Sequence, residues 1–291
     1  MSSFLQALAD GTPITLDGGL GTHLAARGND VTGQLWSAAI LRSNPDEVRA
    51  AHADFFAAGA DVATTCSYQV TFDAVGEEAE ELLRRSVALA AQARTRPGQW
   101  IAASIGPYGA GPGAGTEYDG AYGLSVAELA AWHRRRIEVL SDTEADVLWA
   151  ETVPSILEVQ ALVAELGRVP KPAVLSVTVD SAGMRDGTSL TDLAEVVSTA
   201  SNLVAVGVNC SSAEDALAAV RQLDRVLDLP LAAYPNSGEV WDHEARSWHR
   251  ADDDARGLLE CAGELRSAGV RLLGGCCRVT PREIAVLAGQ S

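Results

Sequence analysis

Lysine is all but missing from this chain of 291 residues, with Lys171 the only one. It stands in Val169-Pro170-Lys171-Pro172, just ahead of an apolar strand-like run. That is the wrong end of a strand for catalysis in an α/β protein, which argues against Schiff-base chemistry. Positive charge is scarce overall: 22 Lys and Arg against 39 Asp and Glu leave a net charge of −17. A surface that acidic repels nucleic acid and anionic lipid, so neither is expected as a partner. The single run of three basic residues, Arg134-Arg135-Arg136, falls in a helical pattern and reads as a solvated face. No window approaches the roughly 18 apolar residues of a membrane span. The start, Met1-Ser2-Ser3-Phe4-Leu5-Gln6, has no basic stretch followed by an apolar one and gives no sign of a secretory signal. The five cysteines are an odd number. A chain of this length buries about 75% of its unfolded surface without staples, so the thiols point to a reducing, cytoplasmic setting and not to a disulfide framework. Histidine is uninformative: His23, His52, His133, His243 and His249 show no metal-ligand spacing, and the pair flanking Trp248 reads as surface.

What is present is a repeated alternation. Apolar runs near Ile14–Asp17, Asp61–Tyr68, Trp100–Ile105, Val147–Glu151, Ala173–Val179, Val204–Asn209, Leu231–Tyr234 and Arg271–Leu273 are separated by amphipathic stretches such as Pro45–Ala58, Glu77–Ala93, Val126–Leu140 and Ala213–Leu227. Eight strand–helix units predict an α/β fold, a (β/α)8 TIM barrel formed by residues 1–291 as one domain, with a doubly wound open sheet as the alternative. The barrel is preferred because polar or reactive residues stand at the C-terminal end of almost every strand, the face where barrels place their chemistry. The run Gly106-Pro107-Tyr108-Gly109-Ala110-Gly111-Pro112-Gly113-Ala114-Gly115 lacks the GK[ST] ending of a phosphate loop and reads as a flexible connection or a mobile lid.

Three cysteines follow such strands. Cys210 closes Val208-Asn209-Cys210-Ser211, and Cys276 and Cys277 close Gly274-Gly275-Cys276-Cys277-Arg278. The sixth and eighth strands of a barrel are one neighbour apart, so these loops converge. Three thiolates leave a tetrahedral Zn2+ one ligand short, the layout of a catalytic site. Adjacent thiols behind Gly-Gly have no evident packing purpose, and the glycines let the backbone turn sharply or approach an ion. Cys66 and Cys261 read instead as small buried hydrophobes. Asp17 and Glu151 end the first and fourth strands. They either cap local structure or hold a substrate ammonium between two anions. Asn209, Asn236 and Ser237 add polar contacts on the same face.

Taken together, the motifs Leu16-Asp17-Gly18-Gly19, Thr65-Cys66-Ser67-Tyr68-Gln69, Gly106-Pro107-Tyr108-Gly109, Glu151-Thr152, Gly207-Val208-Asn209-Cys210 and Gly274-Gly275-Cys276-Cys277-Arg278 resemble the homocysteine S-methyltransferase family over nearly the whole chain. The segment Tyr234-Pro235-Asn236-Ser237-Gly238-Glu239, with Trp241-Asp242 and Trp248, is most similar to the S-methylmethionine-dependent branch. The resemblance implies transfer of a methyl group from a sulfonium donor to L-homocysteine, giving methionine. It carries the zinc ligands over to Cys210, Cys276 and Cys277, and the contacts to the homocysteine amino group over to Asp17 and Glu151. Thr152 stands where some betaine-using relatives have tyrosine, which weakens a betaine reading. S-adenosylmethionine as donor, selenocysteine as acceptor and a non-catalytic zinc-binding barrel are the alternatives. A water-activating zinc hydrolase would call for more His and carboxylate than these strand ends supply. An all-thiolate metal set keeps a bound sulfur electron-rich, which suits alkylation of sulfur.

Overall fold

The computed structural model describes residues 3–31, 35–111, 116–242, 247–250 and 256–289. Within them the apolar runs form eight parallel strands: β1 (Ile14–Thr15), β2 (Val62–Thr64), β3 (Trp100–Ile105), β4 (Val147–Val153), β5 (Ala173–Val177), β6 (Leu203–Asn209), β7 (Leu231–Tyr234) and β8 (Val270–Leu273). Each strand pairs with its sequence neighbours, and β8 pairs with β1. A parallel bridge between Leu16 and Val62 joins β1 to β2. Hydrogen bonds from Asp17 N–H to the Val62 carbonyl (3.1 Å) and from Asp61 N–H to the Thr15 carbonyl (2.7 Å) complete the seam. The sheet is therefore a closed barrel and not an open one.

Side chains alternate across each strand with a period of two. Val62, Trp100, Ala102, Val147, Trp149, Val174, Ala205, Ala232 and Leu272 fill the barrel interior. Ala63, Ile101, Ala103, Leu148, Ala150, Leu175, Val206, Ala233 and Leu273 lie under the surrounding helices. Burial on both faces is why these strands read as continuous apolar runs. Carried on toward the C-terminal ends, the inward register falls on Ser104, Glu151, Ser176, Asn209 and Tyr234. The alternation that packs the interior thus delivers the polar groups to its upper layer. The lower end is closed by the helix Phe4–Ala9, N-capped by Ser3, with Phe4 edge-on to Trp100 at 5.8 Å between ring centroids.

The helices start where local chemistry directs. Pro45–Ala57 has proline in its first turn followed by Asp46 and Glu47, which suits the helix dipole. Val126–Ser141 opens on a Ser125–Glu128 capping box. The helix expected to reach Leu227 stops at Leu223. No helix of the described residues is long and apolar enough to cross a membrane.

Two expectations need correction. The second strand ends at Thr64 and not at Tyr68, because hydroxyl groups take over from the ladder: Ser104 N–H donates to Thr65 Oγ1 (3.0 Å), and Ser67 Oγ donates to the Ser104 carbonyl (2.7 Å). The run Arg134-Arg135-Arg136 is solvated only in part. Arg134 is exposed and reaches down to the buried Glu165, Arg135 pairs with Glu77 at the surface, and Arg136 is itself buried. Its Nη2 donates to the Gly106 carbonyl (2.6 Å) and to His133 Nδ1 (2.9 Å). His133 Nε2 in turn donates to Glu158 Oε1 (2.8 Å), which also accepts the Tyr108 N–H (2.6 Å). This buried relay fastens both sides of Pro107, so the start of the Gly/Pro-rich run is anchored. Residues 112–115 and His243 lie outside the described residues, as do the side chains of Trp241, Trp248 and His249. Lys171 sits at the lower end, donating to the Thr143 and Ala145 carbonyls.

The helical plug makes a stability prediction. Phe4 is 2% exposed, and truncating a buried phenylalanine costs about 3–5 kcal/mol. Urea unfolding of Phe4→Ala should lose about 3 kcal/mol; a loss below about 1 kcal/mol would show that the plug contributes little to closing the barrel.

Candidate metal centre and substrate pocket

The upper end of β7 is the scaffold on which the cysteines hang. Cys210 N–H donates to the Tyr234 carbonyl (3.4 Å), Cys276 N–H to the Pro235 carbonyl (2.8 Å), and Ser237 N–H to the Cys277 carbonyl (3.1 Å). Asn236 contributes twice: its Oδ1 accepts the Cys277 N–H at 3.2 Å, and its own N–H donates to the Ser211 carbonyl at 3.0 Å. Gly274 and Gly275 are required by close approach. A Cβ on Gly274 would lie 2.5 Å from Leu16 Cβ, and one on Gly275 would overlap Val279. The pair therefore serves backbone packing against β1 and the following turn. Among the described residues, the non-glycine positions with left-handed φ are Thr152 (60°), Cys210 (51°) and Arg278 (67°). Such strain persists where surrounding contacts over-determine it, as at functional sites.

The result is a sulfur cluster. Cys210 Sγ lies 2.6 Å from Cys276 Sγ and 4.0 Å from Cys277 Sγ. All three sulfurs are within 4.8 Å of one another, and this is the one group of potential metal ligands found among the described residues. Tetrahedral thiolates at about 2.3 Å from an ion stand about 3.8 Å apart; the Cys210–Cys277 separation is close to that and the Cys210–Cys276 separation is shorter, so it is the donor set, three converging sulfurs, that fits Zn2+. Left to themselves the thiols share charge unequally. Hydrogen bonds from Cys276 and Cys277 hold Cys210 well below the ordinary thiol range. The Cys210 interaction in turn pushes Cys276 and Cys277 up. Cys66 is elsewhere: it faces the helix layer, donates to the Ser37 carbonyl (3.3 Å), and is pushed up to about 12 by burial. Cys261 is buried in the helix Leu258–Ser267.

Two carboxylates share the pocket. Asp17 accepts from Thr64 N–H (2.7 Å) and Thr64 Oγ1 (2.9 Å), and burial raises its pKa from 3.8 to about 7 despite those bonds. Glu151 accepts from Ser104 Oγ. Burial, reinforced by Cys210 and Asp17, raises its pKa from 4.5 to about 8. Two desolvated acids close enough for Asp17 to raise Glu151 make a place where a cation would favour both ionised forms. Asn209 is fully buried, and Thr152 engages both ends of its amide: Oδ1 accepts Thr152 N–H and Nδ2 donates to Thr152 Oγ1, each at 2.8 Å. Ser237 Oγ donates to Glu239 Oε2 (3.1 Å), and Glu239 is bonded by Arg278 Nε at 2.7 Å.

Several groups at the site were not singled out from sequence. Ser104 and Thr64, which orient the two acids, are legible from strand register alone. Tyr118 comes from a loop and carries no periodic signal. Burial and the charge on Cys210 push its phenol well up, and Arg185 stacks over its ring at 5.7 Å. Tyr68, which the sequence does mark within Thr65-Cys66-Ser67-Tyr68-Gln69, is pushed up by burial and by Glu117. Tyr108 packs with Tyr122 and Trp132.

The comparisons with known proteins agree on one family. The pattern described as homocysteine S-methyltransferase matches residues 14–290. A homocysteine S-methyltransferase of Escherichia coli is 41% identical over 304 aligned residues, covering 99% of this chain and 98% of the relative. Homocysteine S-methyltransferase YbgG of Bacillus subtilis is 38% identical over 304, covering 98% and 96%. The crystal structure of the homocysteine methyltransferase MmuM from Escherichia coli, metallated form, matches with a TM-score of 0.86 at 38% identity over 99% of both chains.

The raised acids set a pH dependence. The native state keeps protons that the unfolded chain has already released above about pH 4, so stability falls as pH rises from about 4 toward 8. In metal-free protein at pH 8, Asp17→Asn and Glu151→Gln should each be more stable than the parent by on the order of 2 kcal/mol, and the gain should shrink at pH 5. Thermal unfolding across pH checks this; equal gains at both pH values would contradict it.

Proposed function

The chain belongs to the homocysteine S-methyltransferase family, and we propose that residues 1–291, as one domain, carry a methyl group from the sulfonium of S-methylmethionine to the sulfur of L-homocysteine, using Zn2+ held by Cys210, Cys276 and Cys277. The observation that carries this reading is the convergence of three sulfurs beside two buried carboxylates. Bound zinc would supply a Lewis acid with one open position for the homocysteine sulfur, lowering a thiol pKa that is ordinarily about 8.5.

The chain's own residues do the rest. Asp17 and Glu151, held by Thr64 and Ser104, grip the ammonium and fix the acceptor at one end. Asn209 locks Thr152 to β6, while Asn236 and Ser237 line the same wall and keep the cysteine loops in register. The donor's S–CH3 bond breaks with its electron pair staying on the departing sulfur, as the acceptor sulfur forms the new S–C bond. Thiolate and sulfonium charges cancel in that step, so no acid–base pair is needed at carbon. In-line alignment and exclusion of water carry the catalysis. The ring of Tyr68, half-buried at the mouth, supports a sulfonium through its face. The similarity of Tyr234–Glu239 to the S-methylmethionine-dependent branch favours that donor.

Methionine formation from homocysteine, measured with S-methylmethionine, S-adenosylmethionine and betaine, tests the reading. The highest kcat/KM is expected for S-methylmethionine and none for betaine; zinc-replete protein inert toward every sulfonium would reject it. Losing even an outer partner of a metal ligand costs about 10–100-fold, so Cys210→Ala should lose roughly 100-fold or more in activity, together with bound zinc. Full activity in that variant would remove the ligand assignment.

A further inference from the structure

Of the polar groups in the upper interior layer, Ser176 and Tyr234 have no role above, and Tyr234 is the one without a well-formed hydrogen bond. Tyr234 ends β7 pointing inward and is 6% exposed. Its ring stands edge-on to Trp149, with centroids 5.7 Å apart and planes at 86°, which fixes the hydroxyl in place. That hydroxyl has no hydrogen-bond partner within the protein. Its neighbours hold other bonds and keep capacity free: Ser176 Oγ accepts the Trp149 Nε1–H (3.0 Å), and one oxygen of Glu151 accepts from Ser104. Both flank the phenol closely enough for a weak hydrogen bond, Ser176 toward its oxygen and Glu151 toward its proton, although neither contact reaches good hydrogen-bond geometry. A buried, unpartnered hydroxyl costs about 1–3 kcal/mol, so a purely structural role would be served better by phenylalanine, which makes the same ring contact without that cost.

An ammonium group has three N–H donors. Asp17 and Glu151 account for two acceptors. The third must lie beside Glu151, must not add a third negative charge to a pocket already crowded with carboxylates and thiolates, and must be rigid. We propose that Tyr234 is a substrate-binding residue whose hydroxyl oxygen accepts the third N–H of the homocysteine ammonium while its own proton is directed at Glu151. The inference rests on the amino-group site proposed above and deepens it: the pocket then selects a primary ammonium with all three hydrogens, so N-methylated acceptors are disfavoured.

Tyr234→Phe is the test, read against the parent with L-homocysteine, N-methyl-homocysteine and 4-mercaptobutyrate, the last having the same chain without the amino group. A lost hydrogen bond to a charged group is worth about 1.5–3 kcal/mol, so KM for L-homocysteine should rise about tenfold or more. Zinc content should be unchanged and Tm equal or higher. The parent's preference for L-homocysteine over its N-methyl form should narrow, and the inhibition constant of 4-mercaptobutyrate should stay the same. An unchanged KM, or an equal rise in KM and in the 4-mercaptobutyrate inhibition constant, would overturn the assignment. If the parent itself failed to methylate homocysteine, the proposed function would fall instead, so the two failures are distinguishable.

Discussion

Five hydrogen bonds at the upper end of β7 are the constraint on which the site depends. Residues 234–237 accept from or donate to Cys210, Ser211, Cys276 and Cys277, so one short segment sets the spacing of three sulfurs contributed by two other strands. Barrel closure makes this possible. β6 and β8 are the two neighbours of β7, and parallel pairing brings their C-terminal ends to the same level. A cysteine at either end then has little choice of position, and the left-handed φ of Cys210 is the local cost of turning its sulfur inward.

The same layer explains why the pocket is both unstable and useful. Asp17 and Glu151 are buried acids whose ordinary ionised forms are disfavoured, and three thiols stand beside them. A protein selected for stability alone would place apolar side chains there. On the proposed reading the ligands offset the penalty: a metal ion would neutralise the sulfurs, and an ammonium would neutralise the acids. Substrate binding and charge compensation would then be one event, and the site is expected to be tightest when both cations are present.

Legibility followed physical type. The parallel barrel could be read because doubly covered strands are uninterrupted apolar runs, and because strand ends collect reactive residues. Cys210, Cys276, Cys277, Asp17 and Glu151 were visible for that reason. Arg136 reads as solvated on charge alone, whereas its spacing places it inward. It falls with Leu129, His133, Ile137 and Leu140 on the buried face of its helix, where a histidine and a backbone carbonyl receive it. The end of β2 was placed too late because hydroxyl groups continue the hydrogen bonding of Thr65 and Ser67 after the ladder stops, which composition does not reveal. Tyr118 reaches the site from a loop without periodicity, so nothing local marks it.

The most direct measurement is X-ray absorption at the metal edge of the zinc-loaded protein, recorded with and without L-homocysteine. Three sulfur ligands and one lighter atom should become four sulfur ligands on adding the amino acid. A coordination shell that homocysteine leaves unchanged would contradict the account at its centre.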